Sequence, residues 1–457
     1  MACHGDNATP PSPAIAPGGE ALDARALAAE LGSRPGGPVD ARVRAHIPAM
    51  DAPFYQAGLA GYSDAAMRLI ARRHGCPLCV TEALLDRTLL AGGRGFAKAD
   101  LGDLANNVPG GRGDEPLVCQ IMGSDPQEMA VAALKAIEQR ARSDRDYRAM
   151  AYAGRDEAFA RGSAPSRVCP PRGEQLARPG GPADPSPQGV GSSHSPDQGF
   201  AAIDLNFACP VKKISRKARG GHWLAQPEGA VEIIKAVREA LPSEVPLTLK
   251  LRRSFDDTAE MVLAFNQIFD AAFDLGCAWV TVHGRTVEQR YIGPSRWDLL
   301  RDVCQRRPDC PVFGSGDIWN ASDIFRMISY CGVAGVSVAR GCIGNPWSFR
   351  QARDMLAGAE PKAPTLAEQR EVLDEHFGLL LSVNRGMRNS ELATAKAMRK
   401  FGIRFAAHHP DAEAVRKQMI AVSSTEDWQR VLDEWYAPSA EHAARDQGSM
   451  SDDVPGA

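Results

Sequence analysis

Apolar residues along this chain gather in short runs without regular polar alternation. Eight stand out: Pro53–Gly58, Leu78–Glu82, Leu117–Met122, Ala202–Phe207, Pro246–Leu251, Trp279–His283, Pro311–Gly314 and Gly335–Ala339. Each is rich in Val, Ile, Leu or small residues. A strand with one wet face alternates apolar and polar positions, so these runs fit strands buried on both faces, as in a parallel sheet. Segments of helical pattern fall between most of them, among them Asp64–His74, Pro126–Arg140, Glu228–Ala240, Ala259–Leu275 and Ser322–Tyr330. Eight strands alternating with helices over about 300 residues predict an α/β fold, a (β/α)₈ TIM barrel spanning 51–355. A doubly wound sheet is the rival. It wants a GxGxxG turn after its first strand, and none is there.

The rhythm breaks between the third and fourth runs, which stand about 80 residues apart, far more than a barrel connection needs. Residues 143–198 contain stretches dense in Pro, Gly and Ser and read as a mostly disordered insertion, with 146–161 as a helix candidate. A tolerated surface insertion is the plainer account of it. Residues 1–50 are rich in Ala, Pro and Gly and are expected to be a poorly ordered extension, with room for a short helix near Glu20–Leu31. After the barrel, 365–436 is helical in pattern: Leu366–Leu381, Asn389–Ala406, Ala412–Ala421 and Thr425–Glu434, with Thr425 as N-cap of the last. This predicts a small C-terminal helical domain, followed by a polar tail over 437–457.

Composition narrows the class of protein. The net charge of −3 gives no global basic field, so any nucleic-acid contact must come from local patches. The eleven cysteines are odd in number and show no spacing framework. Free thiols in a reducing cytosol, hence a cytoplasmic location, are the simplest reading. No stretch approaches the ~18 apolar residues of a membrane span. The first thirty residues carry Asp6, Glu20, Asp23 and Glu30 and lack an apolar core, so a secretory signal is not expected. No obligate protein partner is evident.

Candidate chemistry sits at strand ends. In Ile203–Lys213, Asn206 and Cys209 fall at and just past the end of the fourth run, on the face where barrel enzymes keep their reacting groups. Pro210 stiffens the turn and would fix where the thiol points. A free thiol is mostly protonated at neutral pH and can serve as an acid; a buried, inert cysteine is the alternative. Lys250 ends the fifth run, and a lysine buried there needs an anion, such as a reduced flavin, or a structural ion pair. His283-Gly284-Arg285-Thr286 ends the sixth. Ser315-Gly316-Asp317 and Ala339-Arg340-Gly341 end the seventh and eighth. Small residues at those last two ends let backbone N–H groups approach a phosphate, and Arg340 can add a bidentate contact. The cluster suggests a phosphate-bearing cofactor, although glycines also simply make turns.

Two basic stretches flank the same face. One is Lys212, Lys213, Arg216, Lys217 and Arg219; the other, over 385–417, includes Arg399 and Lys400. They read as solvated charge or as an RNA-backbone footprint. Cys76-Pro-Leu-Cys79 has no second pair at zinc spacing and reads as core thiols. His408-His409 lacks companion ligands and is expected to face solvent. No metal site is expected.

Together these residues resemble the tRNA-dihydrouridine synthase family over roughly residues 52–436, the insertion excepted. Asn206–Lys213 is similar to its Asn-x-x-Cys-Pro signature, and His283–Thr286 and Gly344–Trp347 are similar to further motifs. The resemblance implies a proton-donating Cys209. It places Gly58, Leu59, Ala60, Gln120, Lys250, His283, Ser315, Gly316, Asp317, Ala339 and Arg340 at FMN. Asn206 and Arg285 would lie at the substrate uracil, with Lys212, Lys213, Arg399 and Lys400 on the tRNA. It implies that NADPH or NADH reduces FMN, that the flavin passes hydride to C6 of a flipped-out uracil, and that Cys209 protonates C5. There are departures: Ala57-Gly58-Leu59 stands for the usual Ala-Pro-Met, Ala208 for a glycine, and Ser315 for an asparagine. Two rival readings remain: a dihydroorotate dehydrogenase-like flavin enzyme acting on a free pyrimidine, and a non-catalytic RNA-binding barrel.

Overall fold

The computed structural model describes residues 22–91, 112–138, 199–211, 214, 217–384 and 387–437. The segment expected as an insertion, the polar tail beyond 437, and Lys212 and Lys213 lie outside the described residues. Nine strands form one parallel sheet: β1 (Phe54–Gln56), β2 (Cys79–Val80), β3 (Leu84–Leu85), β4 (Leu117–Met122), β5 (Ala202–Phe207), β6 (Leu247–Arg252), β7 (Trp279–His283), β8 (Val312–Ser315) and β9 (Gly335–Val338). β1 pairs with both β2 and β9, and β2 pairs with β4, which closes the ring. β3 meets the far end of β4 through Leu84↔Ile121 and so extends the stave that β2 begins. The barrel is therefore eight-staved, as the uninterrupted apolar runs predict, and β4, β5, β8 and β9 are buried along their whole length.

Register sets the level of each polar side chain. Asn206 lies opposite Lys250, Arg252 opposite His283, and His283 opposite Ser315. Consecutive strands thus bring these groups to the same C-terminal rim.

The N-terminal mouth is closed by a segment expected to be disordered. Of residues 1–50, 22–50 are ordered. Asp23 caps helix Ala24–Gly32 by accepting from the Arg25 and Ala26 N–H groups, and Asp40 caps helix Ala41–His46 through the Arg42 N–H. Val39, Val43, Ile47 and Met50 bury against Tyr55, Trp279 and Phe313 at the bottom of the barrel. An apolar plug of this kind repays the ordering of a segment whose Ala, Pro and Gly content reads as loose.

The C-terminal helices are Leu366–Val383, Ser390–Phe405, Ala412–Ala421 and Thr425–Trp435. The last is capped by Ser424, whose hydroxyl accepts from the Asp427 N–H at 3.1 Å, and not by Thr425, whose hydroxyl is buried. Trp428 stacks on Phe377 at 5.2 Å. His409 does not face solvent: it is 4% exposed and bonded to the Trp435 carbonyl. His408 packs on Trp347. Cys76 and Cys79 are buried with sulfurs 4.0 Å apart, as core thiols.

Candidate active site

Cys209 lies two residues beyond β5, half-buried at the rim. Its turn is held from three sides. Asn206 Oδ1 accepts from the Ala208 and Cys209 N–H groups at 3.0 and 3.1 Å. Arg252 Nε donates to the Ala208 carbonyl at 2.8 Å. The Gly221 N–H donates to the Cys209 carbonyl at 3.0 Å. Gly220, at φ +59°, passes so close that a Cβ there would stand 2.8 Å from Cys209 Cβ. Asn206 Nδ2 in turn donates to Gln120 Oε1 at 2.7 Å.

Lys250 Nζ makes a single hydrogen bond, a long one of 3.4 Å to Ser337 Oγ. Burial pushes its pKa down to about 8, against the pull of Asp204. A part-buried cation with one long hydrogen bond fits an anion at the rim. Arg252 is held to about 10, chiefly by burial. His283 is driven well below the usual imidazole range by burial and by the surrounding Arg252, Lys250, Arg285 and Arg340. It is therefore neutral. Its Nδ1 accepts from the Arg285 N–H at 3.1 Å, which leaves the proton on Nε2.

Arg285, expected at the substrate, is not free to reach it. Its guanidinium is 1% exposed and bonds both oxygens of Asp317 at 2.7 and 2.8 Å, with Nε on the Gly293 carbonyl. Asp317, expected toward the cofactor, spends its carboxylate on Arg285 and on the Ser295 N–H. Ser315 donates to the Ser337 carbonyl within the sheet. Next to these, Gly316 (φ +111°) and Gly341 allow close packing of the chain: a Cβ at Gly316 would lie 2.4 Å from Ser295 Oγ, and one at Gly341 2.1 Å from the Ile318 carbonyl oxygen. Ala339 is half-buried. Arg340 lies between the rings of Tyr291 and Trp319, 4.8 Å from each.

The first turn has its own constraint. At Gly58 a Cβ would come within 2.2 Å of the Thr81 carbonyl oxygen and 3.3 Å of Gln120 Oε1. Leu59 is half-buried, with its N–H on Ser63 Oγ at 2.7 Å, and Ala60 is exposed. Lys400 reaches this turn from the C-terminal helices. Its ammonium donates to the Gly61 carbonyl and lies 4.9 Å from the centres of both the Tyr62 and Phe401 rings. Lys400 is thus a tether between the helices and the barrel, contrary to the expectation of a surface RNA contact. Arg399 is likewise engaged, with Nε on the Val422 carbonyl. Of the first basic run, Arg219 pairs with the buried Asp86 at 3.0 Å. On the second stretch, Arg388, Lys396 and Arg404 are exposed.

Residues 193–440 match the family described as Dihydrouridine synthase (Dus), which is more than half of the 457-residue chain. The chain belongs to the dihydrouridine synthase family. A probable tRNA-dihydrouridine synthase of Mycobacterium leprae is 34% identical over 212 residues, covering 45% of this chain and 54% of that protein. One from Mycobacterium tuberculosis (strain H37Rv) is 31% identical over 236 residues, covering 50% and 58%. Probable tRNA-dihydrouridine synthase 1 of Synechocystis is 32% identical over 238 residues, covering 52% and 64%. The chain spans about half the length of the first two relatives.

The matched segment contains β5 through β9 and the C-terminal helices, hence Cys209, Lys250 and His283. Several residues that shape this site carry no motif signal. Asp204 lies two before Asn206 on β5, and Thr248 and Arg252 lie two either side of Lys250 on β6, so they share the inward faces of those residues. That period is the signal that could have found them. Among the described residues, no group of three His, Cys, Asp or Glu is placed to hold a metal ion, and no helix is long and apolar enough to cross a membrane.

Proposed function

We propose that this protein reduces uridine in transfer RNA to 5,6-dihydrouridine, with FMN held at the barrel rim and NADPH or NADH as electron donor. The observation that carries the reading is the placement of Cys209: a thiol at the mouth, not in the core, on a turn fixed by Asn206 and Arg252. A flavin, when bound, supplies hydride chemistry that no side chain offers. The residues present fit such a group. Lys250 is a part-buried cation whose one hydrogen bond is a long one to Ser337, so its ammonium can turn to a ligand anion. Gly58, Leu59 and Ala60 line the first turn, and Gln120 keeps a second Nε2 hydrogen beyond the one given to Asp204. Neutral His283 presents an N–H donor. Gly316, Ala339 and Arg340 offer backbone and a guanidinium to a phosphate, while Ser315 and Asp317 shape that end through the sheet and Arg285.

Within this reading Cys209 holds a proton at Sγ and gives it to C5 of the base. Asn206 orients the ring, because its remaining Nδ2 hydrogen seeks a carbonyl oxygen. A base must leave its stack to reach the rim. The exposed Arg388, Lys396 and Arg404 suit the phosphates of a folded RNA; Lys212 and Lys213 would add to them.

The test uses purified protein. A yellow preparation that forms dihydrouridine in unmodified tRNA with NADPH or NADH, and leaves orotate and free uracil untouched, supports the reading. Turnover of the free pyrimidine with none on tRNA would replace it by the dihydroorotate dehydrogenase-like alternative. A colourless protein that binds flavin at no concentration would leave an RNA-binding barrel.

A further inference from the structure

Asp204 has no place in the chemistry above. It lies two residues before Asn206 on the same inward face of β5, 5% exposed, in the middle of the barrel. Burial pushes its carboxyl pKa up; bonds from Thr248 and Gln120 and the charge of Lys250 pull it down. A carboxylate this deep is costly unless something needs an acceptor there.

The hydrogen bonds say what needs it. Thr248 Oγ1 lies 2.6 Å from Asp204 Oδ1, and Gln120 Nε2 donates to Asp204 Oδ2 at 2.7 Å. Gln120 Oε1 accepts from Asn206 Nδ2 at 2.7 Å. Asn206 Oδ1 accepts from the N–H groups of Ala208 and Cys209. The polarity of this chain is fixed from both ends. Backbone N–H groups can only donate, so Asn206 must turn its oxygen to them and its nitrogen to Gln120. Gln120 must then turn its oxygen to Asn206 and its nitrogen to position 204, where only an acceptor can close the series. An amide can rotate to exchange oxygen and nitrogen; a carboxylate cannot present a donor when ionised. Asp204 closes the far end of the series and holds the sense that the backbone N–H groups set at the other.

We infer that Asp204 is a positioning residue: through Gln120 and Asn206 it secures the direction of the two amides from the far end and so holds the turn that bears Cys209. The consequence for the reaction, which rests on the function proposed above, is that Asn206 can offer a ligand an N–H but no free oxygen. Both lone pairs of Oδ1 are already taken. A base presenting a carbonyl oxygen is accepted at that position; one presenting an amino group there meets donor against donor.

The test moves the charge one residue along. Gln120→Glu sets two carboxylates within hydrogen-bonding distance; labelled at alkaline pH, where both are ionised, they repel and the series is broken. In Asp204→Asn/Gln120→Glu the series closes again: the introduced carboxylate accepts from Asn206 and from the new amide, whose oxygen accepts from Thr248. Iodoacetamide labelling of Cys209 is followed by peptide mass spectrometry in flavin-free protein without RNA, so the result is independent of whether the protein acts on tRNA. Losing one supporting hydrogen bond loosens the turn by about tenfold in its opening equilibrium. Labelling should therefore be about tenfold faster in Gln120→Glu and return to within about twofold of the parent in the double variant. A double variant as fast as Gln120→Glu, or a Gln120→Glu rate equal to the parent, overturns the inference. Should Gln120→Glu fail to fold, Asp204→Leu carries the test through hydrogen exchange of the Ala208 and Cys209 amides: faster exchange supports the inference, and unchanged exchange overturns it.

Discussion

Arg285 and Asp317 form an ion pair inside the barrel rim, with Nη2 donating to both carboxylate oxygens and side chains 1% and 3% exposed. The pair joins the end of β7 to the end of β8 and, through the Ser295 N–H, clamps the loop between them. In this chain Arg285 therefore holds the loop ends together. Removing one partner of a buried pair leaves an uncompensated charge, at a cost of about 3–5 kcal/mol. Asp317→Ala should lower unfolding stability by that amount in a denaturant titration. A loss under about 1 kcal/mol would mean that water or another group already screens Arg285.

Lys400 separates two roles that a basic sequence stretch confounds. Its ammonium bonds the Gly61 carbonyl, beside the Gly58–Ala60 turn. Lys400→Met should weaken FMN retention, read as flavin released on gel filtration, by about tenfold in affinity for a misplaced turn. The salt dependence of tRNA binding should stay as in the parent. The converse is expected of Arg388→Glu/Lys396→Glu/Arg404→Glu: flavin retained, tRNA affinity lower, and a salt slope shallower by nearly one unit for each phosphate no longer neutralised. Should Lys400→Met change the salt slope while flavin stays bound, the two assignments would be exchanged.

His376 gives the junction between barrel and helices a pH dependence. It is 1% exposed, both ring nitrogens lack a hydrogen bond, and its ring lies 4.4 Å from that of Phe401. It borders a small apolar cavity with Met67, Ile70, Gly344 and Phe405. Burial holds its pKa down to about 3, against 6.5 for a free imidazole, and His408 nearby is held to about 4. The folded state therefore keeps His376 neutral while the unfolded state takes up a proton below pH 6.5. Stability is complete above 6.5 and falls as pH drops toward 3, by about 1.4 kcal/mol per pH unit from this residue. His376→Leu should flatten the profile between pH 6.5 and 4 by that slope. An unaltered slope would place the titration elsewhere.

The barrel was legible because its staves are buried on both faces, and unbroken Val/Ile/Leu runs have few other uses. Cys209, Lys250 and His283 were legible because strand ends carry them. The N-terminal plug was not: Val39, Val43, Ile47 and Met50 are spread through Ala, Pro and Gly, and their value lies in Trp279 and Phe313, over 200 residues away. The two aspartate caps at Asp23 and Asp40 were the readable sign. The internal contacts of Arg285, Arg399 and Lys400 were not legible for one reason. A sequence shows that a residue is charged but not what it is bonded to: Arg285 is paired with Asp317, and Arg399 and Lys400 each give an N–H to a backbone carbonyl distant along the chain. Asp204 and Arg252 were visible as inward polar positions, but only the hydrogen bonds give them a task.

In the proposed reaction the Cys209 thiol is the acid. The most direct measurement is dihydrouridine formation by Cys209→Ala on intact, unmodified tRNA, alongside the flavin spectrum and NADPH oxidation. Bound flavin and continued NADPH oxidation are expected, with dihydrouridine formation lower by about 10²–10⁴-fold, the range that a positioned general acid contributes. Full activity of that variant would contradict the claim.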